Sequence, residues 1–433
     1  MDFGIQANVK GLEMTVVIVG SGQAGARAAE ALRGCGYAGR VVLIGEESHL
    51  PYERPPLSKG VLLSRDDDGA STLLDRDFYE SHAIELRLGM RAVRIHREDK
   101  VVELADASMV PYVHLILATG LRSRPLKGFA LGDLLFHLRT FDDAQRLKKA
   151  LSRGRRLLVV GGGLLGLEIA ATARQIGCEV CVVERHPTLL YRSVAQVVGE
   201  HVTRLHARHG VRILTGVTPR NMYLEQGRQA TPDIQTVVTE LSNGETLTSD
   251  LVVAATGSIV NTELAEACGL EVQDGIIVDQ FGRTSDPSIF AIGDVARHFN
   301  PLLGRTIRVE SWHNAQNQSA AVAQVVAGSQ TPYAEVPWFW SDQFDMNLQT
   351  VGYSSDWDRV IVRGDPESRR FTVLYLQGDR LVAANMVNSG RDLPAARRCI
   401  VNHTALDLDR LARIDETLED VVLSASGLAG SAG

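Results

Sequence analysis

The same glycine-rich turn occurs twice in this sequence, and the duplication constrains the fold more than any other feature. The apolar run Val16–Val19 leads into GSGQAG (20–25) and then an alanine-rich segment. The run Leu157–Val160 leads into GGGLLG (161–166) and a second alanine-rich segment. Strand, glycine turn and helix in this order open a βαβ unit, whose helix N-terminus can face a pyrophosphate. Two such units, 141 positions apart, predict two similar α/β domains in tandem.

The glycines of each turn have separate tasks in such a unit. The first permits the tight turn, the second lets the backbone approach a pyrophosphate, and the third allows the helix to pack closely on the strand. They are Gly20, Gly22 and Gly25 in the first copy, and Gly161, Gly163 and Gly166 in the second. Two further strings, LILATG and LVVAATG, end in Thr-Gly and predict strand ends at the cofactor edges, with Thr119, Gly120 and Gly257.

Each unit also has an acidic residue at the end of its next strand. Glu46 follows the run Val41–Ile44, and Glu184 follows Val180–Val183. A carboxylate there can accept hydrogen bonds from ribose hydroxyls. Glu184 suits a free 2′-hydroxyl and would repel a 2′-phosphate, so the pattern favours NADH, while the adjacent Arg185 leaves the strictness open. Two complete sites predict two nucleotides, a flavin and a nicotinamide.

Composition excludes several other classes of protein. The net charge of −7 argues against general nucleic-acid binding. No uninterrupted apolar run of membrane-spanning length occurs, and residues 1–13 lack the pattern of a secretory signal, with Met14 an alternative start. Five cysteines, an odd and sparse number, fit a reducing cytoplasm better than a disulfide framework. We therefore expect a cytoplasmic protein with no membrane or nucleic-acid partner.

Two groups of residues invite a metal or redox hypothesis. Cys178 and Cys181 have C-x-x-C spacing but fall on the second strand of the second unit, where positions three apart face opposite sides, so buried thiols are favoured. His201, His206 and His209 lack a matching set of carboxylates or thiols, so a solvated helix face is favoured over a metal site. No metal is predicted.

The hydrophobic pattern of the sequence changes near Thr331, from helical to alternating periodicity. Alternating segments such as Arg359–Val362 and Phe371–Tyr375 predict a smaller, strand-rich C-terminal domain. The final SASGLAGSAG (424–433) is typical of disorder.

Several longer strings carry a family resemblance. Together with the two glycine motifs, they are LPYERPPLSK (50–59), LRTFDDA (138–144), TSDPSIFAIGDVA (284–296), RVESWHNA (308–315) and PWFWSDQFD (337–345). The chain resembles the FAD-containing, NADH-dependent ferredoxin reductases of oxygenase systems, of the putidaredoxin reductase and aromatic-ring dioxygenase type, from about Thr15 to Asn388. Val260 departs from the pattern, since relatives often have proline there.

The resemblance implies a glutathione-reductase-like α/β fold. Two Rossmann-like dinucleotide-binding domains would be followed by a smaller α+β C-terminal domain. The FAD-binding domain would comprise residues 14–123 and 247–331, the NAD-binding domain residues 124–246, and the C-terminal domain residues 332–433.

The resemblance also implies roles for individual residues. Asp294 would bond the ribityl chain of FAD, with a helix N-cap as the alternative. Lys59 would lie near the flavin ring and Glu168 near the nicotinamide, where the two could pair; a surface lysine and an exposed helical glutamate are the alternatives. Trp312 would contact the pyrimidine side of the flavin, unless it is an ordinary core aromatic.

Further positions match other FAD contacts of the family. Ala24 and Ala92 would act through their backbone groups, and Arg139 would meet cofactor charge, with a surface salt bridge as the alternative. The remaining candidates are Glu46, Arg54 and Arg124.

The implied activity is that of an NADH:ferredoxin oxidoreductase. A hydride would pass from NADH to FAD, and electrons would leave singly to a 2Fe–2S ferredoxin. The basic residues Arg297, Arg305 and Arg308 would dock this acidic partner, unless they are scattered surface charge. LPYERPPLSKG lacks the cysteine pair of a disulfide reductase. Rubredoxin, monodehydroascorbate or nitrite-reductase-type flavoenzymes remain alternatives, as does an NADH-sensing flavoprotein like apoptosis-inducing factor.

Overall fold

The computed structural model describes residues 14–64, 71–226, 235–355 and 357–422. The C-terminal SASGLAGSAG lies outside this part of the chain. The strands, in chain order, are β1 (Thr15–Val19), β2 (Arg40–Ile44), β3 (Ile84–Arg87), β4 (Ala92–His96), β5 (Val101–Leu104), β6 (Met109–Pro111), β7 (His114–Leu117), β8 (Leu121–Ser123), β9 (Leu135–Phe136), β10 (Arg156–Val160), β11 (Glu179–Glu184), β12 (Arg212–Thr215), β13 (Pro219–Gln226), β14 (Gln235–Leu241), β15 (Thr246–Ser249), β16 (Leu251–Ala254), β17 (Ser258–Val260), β18 (Ile276–Val278), β19 (Ile289–Ala291), β20 (Ala296–Asn300), β21 (Arg305–Arg308), β22 (Trp338–Gln343), β23 (Met346–Gly352), β24 (Arg359–Gly364), β25 (Phe371–Gln377) and β26 (Arg380–Val387).

The helices are α1 (Gln23–Gly34), α2 (Gly60–Leu63), α3 (Arg76–Ser81), α4 (Phe141–Ala150), α5 (Leu164–Ile176), α6 (Gln196–Arg208), α7 (Glu263–Ala267), α8 (Trp312–Val326) and α9 (Leu393–Val401). Short 3₁₀ turns occur at Pro55–Ser58, Gly132–Leu134, Gly293–Val295 and Gly390–Asp392.

The first of two compact units is built around a parallel sheet. It comprises the described residues within 1–54, 69–122 and 258–337. Its five strands lie in the order β19-β7-β1-β2-β3, and all are parallel. Every residue of β1 is buried, as expected for a central strand covered on both faces. Helix α1 packs against α8 beside this sheet. The antiparallel sheet β4-β5-β6 and the mixed sheet β18-β20-β21, in which β18 and β20 are parallel, complete the unit.

The second unit repeats the parallel arrangement. It comprises the described residues within 55–68, 123–257 and 338–433. Its parallel sheet has the order β12-β11-β10-β16-β9, and β13-β14-β15 form a small antiparallel sheet. The two predicted βαβ units are therefore both present, each starting with a buried apolar strand.

The strand-rich C-terminal segment is also confirmed. Strands β22 to β26 form an antiparallel sheet in the order β22-β23-β26-β25-β24, with α9 packed against β23 and β26. The predicted segments Arg359–Val362 and Phe371–Tyr375 lie within β24 and β25. The mixed fold class is as expected, whereas the three-domain division stays a prediction. Every helix in the described part of the chain is too short or too polar to cross a bilayer.

The cysteines are free thiols, but the histidine prediction is wrong. Cys178 lies just before β11 rather than on it, and its burial raises the pKa of its thiol. Cys181 lies on β11 but is only partly buried. His201 and His206 are not on a solvated face: both are buried, edge-on to Phe371 and Phe344. Among the described residues, no cluster of three potential metal ligands occurs.

Candidate functional site

The first glycine turn allows no side chain at two of its three positions. Gly20 has φ +113°, and a Cβ atom there would lie 2.2 Å from the carbonyl oxygen of Ala118. A Cβ atom on Gly25 would lie 1.8 Å from the carbonyl oxygen of Gly20. The turn therefore packs backbone against backbone between β1, β7 and α1, as a dinucleotide site requires.

The Arg54 side chain lies beside the middle glycine of this turn. The Nε and Nη2 atoms of Arg54 lie 3.9 Å from the place a Cβ atom would take on Gly22. Arg54 donates to Glu47 Oε1 over 2.8 Å, and the Tyr52 hydroxyl donates to Glu47 Oε2 over 2.5 Å. Glu47 and Tyr52, which the sequence reasoning missed although Tyr52 is in LPYERPPLSK, thus hold a cation beside the helix N-terminus.

The Asp294 segment packs on the start of α1. A Cβ atom on Gly293 would lie 2.9 Å from Ala24 Cβ, and the Gly293 amide donates to Gln318 Oε1 over 2.8 Å. Asp294 lies in a single 3₁₀ turn that leads directly into β20, so the helix-cap alternative is wrong. Trp312 is the first residue of α8, which packs against that turn.

Four other predicted residues lie around the same sheet. Glu46 is exposed just beyond β2, and Ala92 begins β4 within the apolar cluster that contains Val19 and Ile44. The Thr119 hydroxyl donates to the Asn261 carbonyl over 2.7 Å, and Gly120, with φ +59°, accepts from the Asn261 amide. The structure therefore groups ten of the predicted positions with Asp294 in the first unit; they are Gly20, Gly22, Ala24, Gly25, Glu46, Arg54, Ala92, Thr119, Gly120 and Trp312.

The second glycine turn has the same backbone as the first. Gly161 has φ +117°, and a Cβ atom there would lie 2.3 Å from the Ala255 carbonyl oxygen. A Cβ atom on Gly166 would lie 2.1 Å from the Gly161 carbonyl oxygen. Around Gly163, by contrast, no described atom would lie within 4 Å of a Cβ atom. The middle glycine here leaves open space in front of helix α5.

The Glu184 side chain is buried and hydrogen-bonded to this turn. Its Oε2 accepts from the Gly162 amide over 2.7 Å, and its Oε1 accepts from the His186 amide over 2.8 Å. The carboxylate therefore fixes the glycine turn to the end of β11. Arg185 is exposed next to it, with its Nε 3.2 Å from His186 Nε2.

Lys59 and Glu168 form the expected pair. Lys59 Nζ lies 3.2 Å from Glu168 Oε1, and 3.4 Å from Asp342 Oδ2. Lys59 follows the 3₁₀ turn Pro55–Ser58, and Glu168 is buried on α5. Both the surface-lysine and exposed-glutamate alternatives are therefore wrong.

Two serines complete the surroundings of Glu168. The Ser58 hydroxyl donates to its Oε2, and the Ser341 hydroxyl donates to its Oε1, each over 2.6 Å. Both serines and Asp342 lie in the strings PPLSK and PWFWSDQFD, so the signal was present in the sequence. Their meeting was not predictable, because 283 positions separate Ser58 from Ser341.

Three predicted residues of the second unit, Arg139, Gly257 and Arg124, lie outside this cluster. The Arg139 amide donates to Asp143 Oδ2 over 3.0 Å, in the capping box at the start of α4. Gly257, with φ +101°, accepts from the Arg124 amide over 3.0 Å.

The predicted basic group is largely compensated by acids. Arg308 contacts Glu310 Oε1 at 2.6 Å and Asp274 Oδ1 at 3.2 Å, and its side chain is only 14% exposed. Arg297 Nη1 lies 4.0 Å from Asp274 Oδ2. Arg305 is half-buried on β21, opposite Asn300.

Both turns fit a dinucleotide. Helices α1 and α5 begin after Gly22 and Gly163, with no side-chain cap on their first N–H groups and no acidic residue in their first turns. Such N-termini favour an anion such as a pyrophosphate. Arg54 adds positive charge at the first turn, which suits FAD, and Glu184 ends the strand beside the second, which suits a nicotinamide dinucleotide.

Comparison with known proteins places the chain among reductases. Residues 14–319 match the model for pyridine nucleotide-disulphide oxidoreductases, and residues 338–422 match the reductase C-terminal model. The chain is 45% identical to the ferredoxin–NAD(+) reductase component of the anthranilate 1,2-dioxygenase system of Burkholderia cepacia, covering 92% of this chain and 96% of the relative.

Two similar solved structures are also ferredoxin reductases. A ferredoxin reductase from Rhodopseudomonas palustris has a TM-score of 0.89 at 38% identity, over 95% of this chain and 100% of that one. Putidaredoxin reductase, in its covalent complex with putidaredoxin, has a TM-score of 0.89 at 35% identity, over 94% and 98%. The chain therefore belongs to the pyridine nucleotide-disulphide oxidoreductase family, as a member of the ferredoxin reductases that its sequence resembles.

Proposed function

We propose that this protein is an NADH-dependent flavoenzyme that passes electrons singly to a small 2Fe–2S ferredoxin, which in turn supplies an oxygenase. The observation that carries the proposal is the pair of complete dinucleotide turns, one with Arg54 and one with Glu184. The relatives support it, since they are named as ferredoxin–NAD(+) reductase components of dioxygenase systems. Enzymes of this family use FAD and NAD(H).

FAD would be held by the first unit. The glycine turn and the N-terminus of α1 would receive the pyrophosphate, Arg54 would offset its charge, and Asp294 would bond the ribityl chain. Backbone groups of Ala24 and Ala92 and the Trp312 segment would complete the site, with Glu46 at the ribose, and Thr119 and Gly120 at its edge. When bound, FAD would supply the capacity to accept two electrons as one hydride and to release them one at a time.

NADH would be held by the second unit, and Lys59 and Glu168 would serve the hydride transfer. Gly161, Gly163 and Gly166 would receive the pyrophosphate, with Gly257 at the edge and Glu184 at the ribose. The Lys59 ammonium, fixed between the Glu168 and Asp342 carboxylates, would present an oriented charge to the reacting rings. Arg139, which matches an FAD-contact position of the family, would meet the charge of FAD.

Ferredoxin would dock on the surface formed by Arg297, Arg305 and Arg308. Because Asp274 and Glu310 compensate Arg308, its own contribution to the attraction would be small. Arg305→Glu should raise the KM for ferredoxin about fivefold at low salt and leave NADH–ferricyanide activity unchanged. Arg359→Glu, an exposed arginine of β24, is the control and should change neither. Equal ferredoxin kinetics in all three proteins would disprove this surface.

Anaerobic stopped-flow spectroscopy tests the function itself. NADH should reduce the bound flavin faster than NADPH, and the reduced enzyme should be reoxidised fastest by a 2Fe–2S ferredoxin. If rubredoxin or monodehydroascorbate reoxidised the flavin faster than the ferredoxin did, the protein would instead be a reductase of that acceptor. Slow reoxidation by every one-electron acceptor would favour an NADH-sensing flavoprotein. The five free thiols support a reducing compartment such as the cytoplasm.

A further inference from the structure

Behind the Lys59–Glu168 pair runs a chain of buried hydrogen bonds. Ser341 donates to Glu168 Oε1 over 2.6 Å, Gln343 Nε2 donates to Ser341 Oγ over 3.1 Å, and His206 Nε2 lies 2.9 Å from Gln343 Oε1. Ser341, Gln343 and His206 are each at most 1% exposed. The chain ends at His206, whose Nδ1 has no hydrogen-bond partner among the described residues. A buried polar chain of this kind is costly unless most of its members are satisfied.

The chemistry of the groups gives the chain one direction. The Gln343 amide oxygen can only accept, so His206 Nε2 must carry the proton that it donates. Gln343 then uses its N–H on Ser341 Oγ, which leaves the Ser341 proton to point at Glu168. Burial lowers the pKa of His206 to about 4, so its ring stays neutral and the direction does not reverse near neutral pH.

Strand β22 touches both members of the pair. Ser341 contacts Glu168, and the next residue, Asp342, lies 3.4 Å from Lys59 Nζ. A second hydroxyl, Ser58, holds the other oxygen of Glu168, and its carbonyl accepts from Thr172 on α5. Glu168 therefore has both oxygens fixed by serines, which restricts the orientation in which it can hold Lys59.

We propose that Ser341, oriented by Gln343 and His206, is a positioning residue of the hydride-transfer site: it fixes Glu168, and through it Lys59. This inference rests on the proposed function and deepens it. It assigns the C-terminal sheet a part in flavin reduction, through a serine that is hydrogen-bonded to Glu168 and Gln343. Titratable groups facing Glu168 are Lys59 directly, Asp342 through Lys59, and His206 through Gln343 and Ser341.

The test compares flavin reduction by saturating NADH from pH 5 to 9 in the wild type and in Ser341→Ala. The variant should be reduced about tenfold more slowly, with the NADH concentration for half-maximal rate unchanged. Because one hydrogen-bond donor to the pair is lost, the acid limb of the rate profile should also differ from that of the wild type. Ser341→Thr, which keeps the hydroxyl, should restore both rate and limb.

A double-mutant cycle asks whether Ser341 acts through Glu168. In the Glu168→Gln background, Ser341→Ala should slow reduction by less than about twofold. Urea unfolding of the FAD-loaded proteins gives a readout independent of turnover: the midpoint losses of the two substitutions should not add. Ser249→Ala is the control, because Ser249 is a buried serine of the same unit whose hydroxyl contacts no described partner. It should change neither rate nor limb.

A wild-type rate and pH limb in Ser341→Ala, or a full tenfold loss in the Glu168→Gln background, would overturn the proposal. Should Ser341→Ala not retain FAD, Gln343→Met tests the same chain one step earlier and should slow reduction about threefold; a wild-type rate would contradict the proposal. If the wild type itself is not reduced by NADH, the proposed function fails instead, so the two failures are distinguishable.

Discussion

The two glycine turns share a backbone but fill the space beside it from opposite sides. Val19 pairs with Ile44 in the first sheet and Val160 with Val183 in the second, so the residues that follow, Gly45 and Glu184, occupy matching places. In the first turn, a Cβ atom on Gly45 would lie 1.9 Å from Ser21 Oγ. The side chain there comes from the turn, and the strand end has none.

The second turn reverses this arrangement. Glu184 projects from the strand end, and the matching turn residue is Gly162, where a Cβ atom would lie 3.1 Å from Glu184 Cβ. The missing side chain lets Glu184 reach the Gly162 amide. Glu46 therefore matches Arg185 and not Glu184, and it is exposed rather than bonded to its turn. Equal motifs in sequence thus produce one turn held by packing and one held by a carboxylate.

The largest effects should come from filling the first glycine of each turn. Gly20→Ala should lose FAD, because the new Cβ atom meets Ala118 and φ is positive. Gly161→Ala should retain FAD but be reduced by NADH at least about a hundredfold more slowly. Flavin absorbance after desalting and stopped-flow reduction measure the two. Gly34→Ala, whose Cβ atom would meet no described atom within 4 Å, should resemble the wild type. Loss of FAD from Gly161→Ala would show that the turns are not independent.

Each unit also contains a buried histidine, and protonation of that histidine should destabilise the folded protein. Burial lowers the pKa of His298 in the first unit and of His206 in the second to about 4. The unfolded chain therefore binds more protons below pH 6.5, so stability is complete above that pH and is lost as the pH falls toward 4. Each histidine should cost about 2 kcal/mol between pH 8 and pH 5.

Urea unfolding of His298→Phe and His206→Gln measures this difference. Each variant should lose about 2 kcal/mol less than the wild type between those pH values. An unchanged pH dependence in either variant would show that its histidine is protonated without cost.

The two acids should affect different cofactors. Glu184→Ala should raise the KM for NADH about tenfold and narrow the preference over NADPH, because a ribose acceptor and a support of the turn are both removed. Glu46→Ala should weaken FAD retention and leave the KM for NADH unchanged. Steady-state kinetics with FAD in excess separates the two, and an equal effect of both variants on NADH would contradict the assignment.

The smallest effect tests the exchanged side chains directly. Gly162→Ser should destabilise the protein by about 1 kcal/mol, because a Cβ atom there would lie 2.6 Å from Leu189 Cδ2 and 3.1 Å from Glu184 Cβ. Adding Glu184→Gly, which reproduces the pair of residues in the first turn, should recover part of that loss in urea unfolding, because the contact with Leu189 remains, while NADH binding stays weak. Independent, additive losses would show that the two positions do not share the space.

The sequence was sufficient for the parts of the fold that have a local signal. The apolar runs, the glycine turns and the C-terminal strands are all where the patterns predict. Burial of His201 and His206 was not predicted, because histidine is a polar residue that is often exposed. The two residues nevertheless share helical spacing with the buried Val198 and Val202. The contacts of Ser341 with Glu168 depend on tertiary packing between distant segments, which one sequence does not specify.

The central claim is that two electrons enter as one hydride and leave singly to an iron–sulfur protein. An anaerobic titration of excess 2Fe–2S ferredoxin with NADH, at catalytic amounts of the FAD-loaded protein, tests it most directly. Because NADH carries two electrons and such a ferredoxin accepts one, we expect about two ferredoxins reduced for each NADH consumed. NADH oxidation with ferredoxin left oxidised would contradict the account.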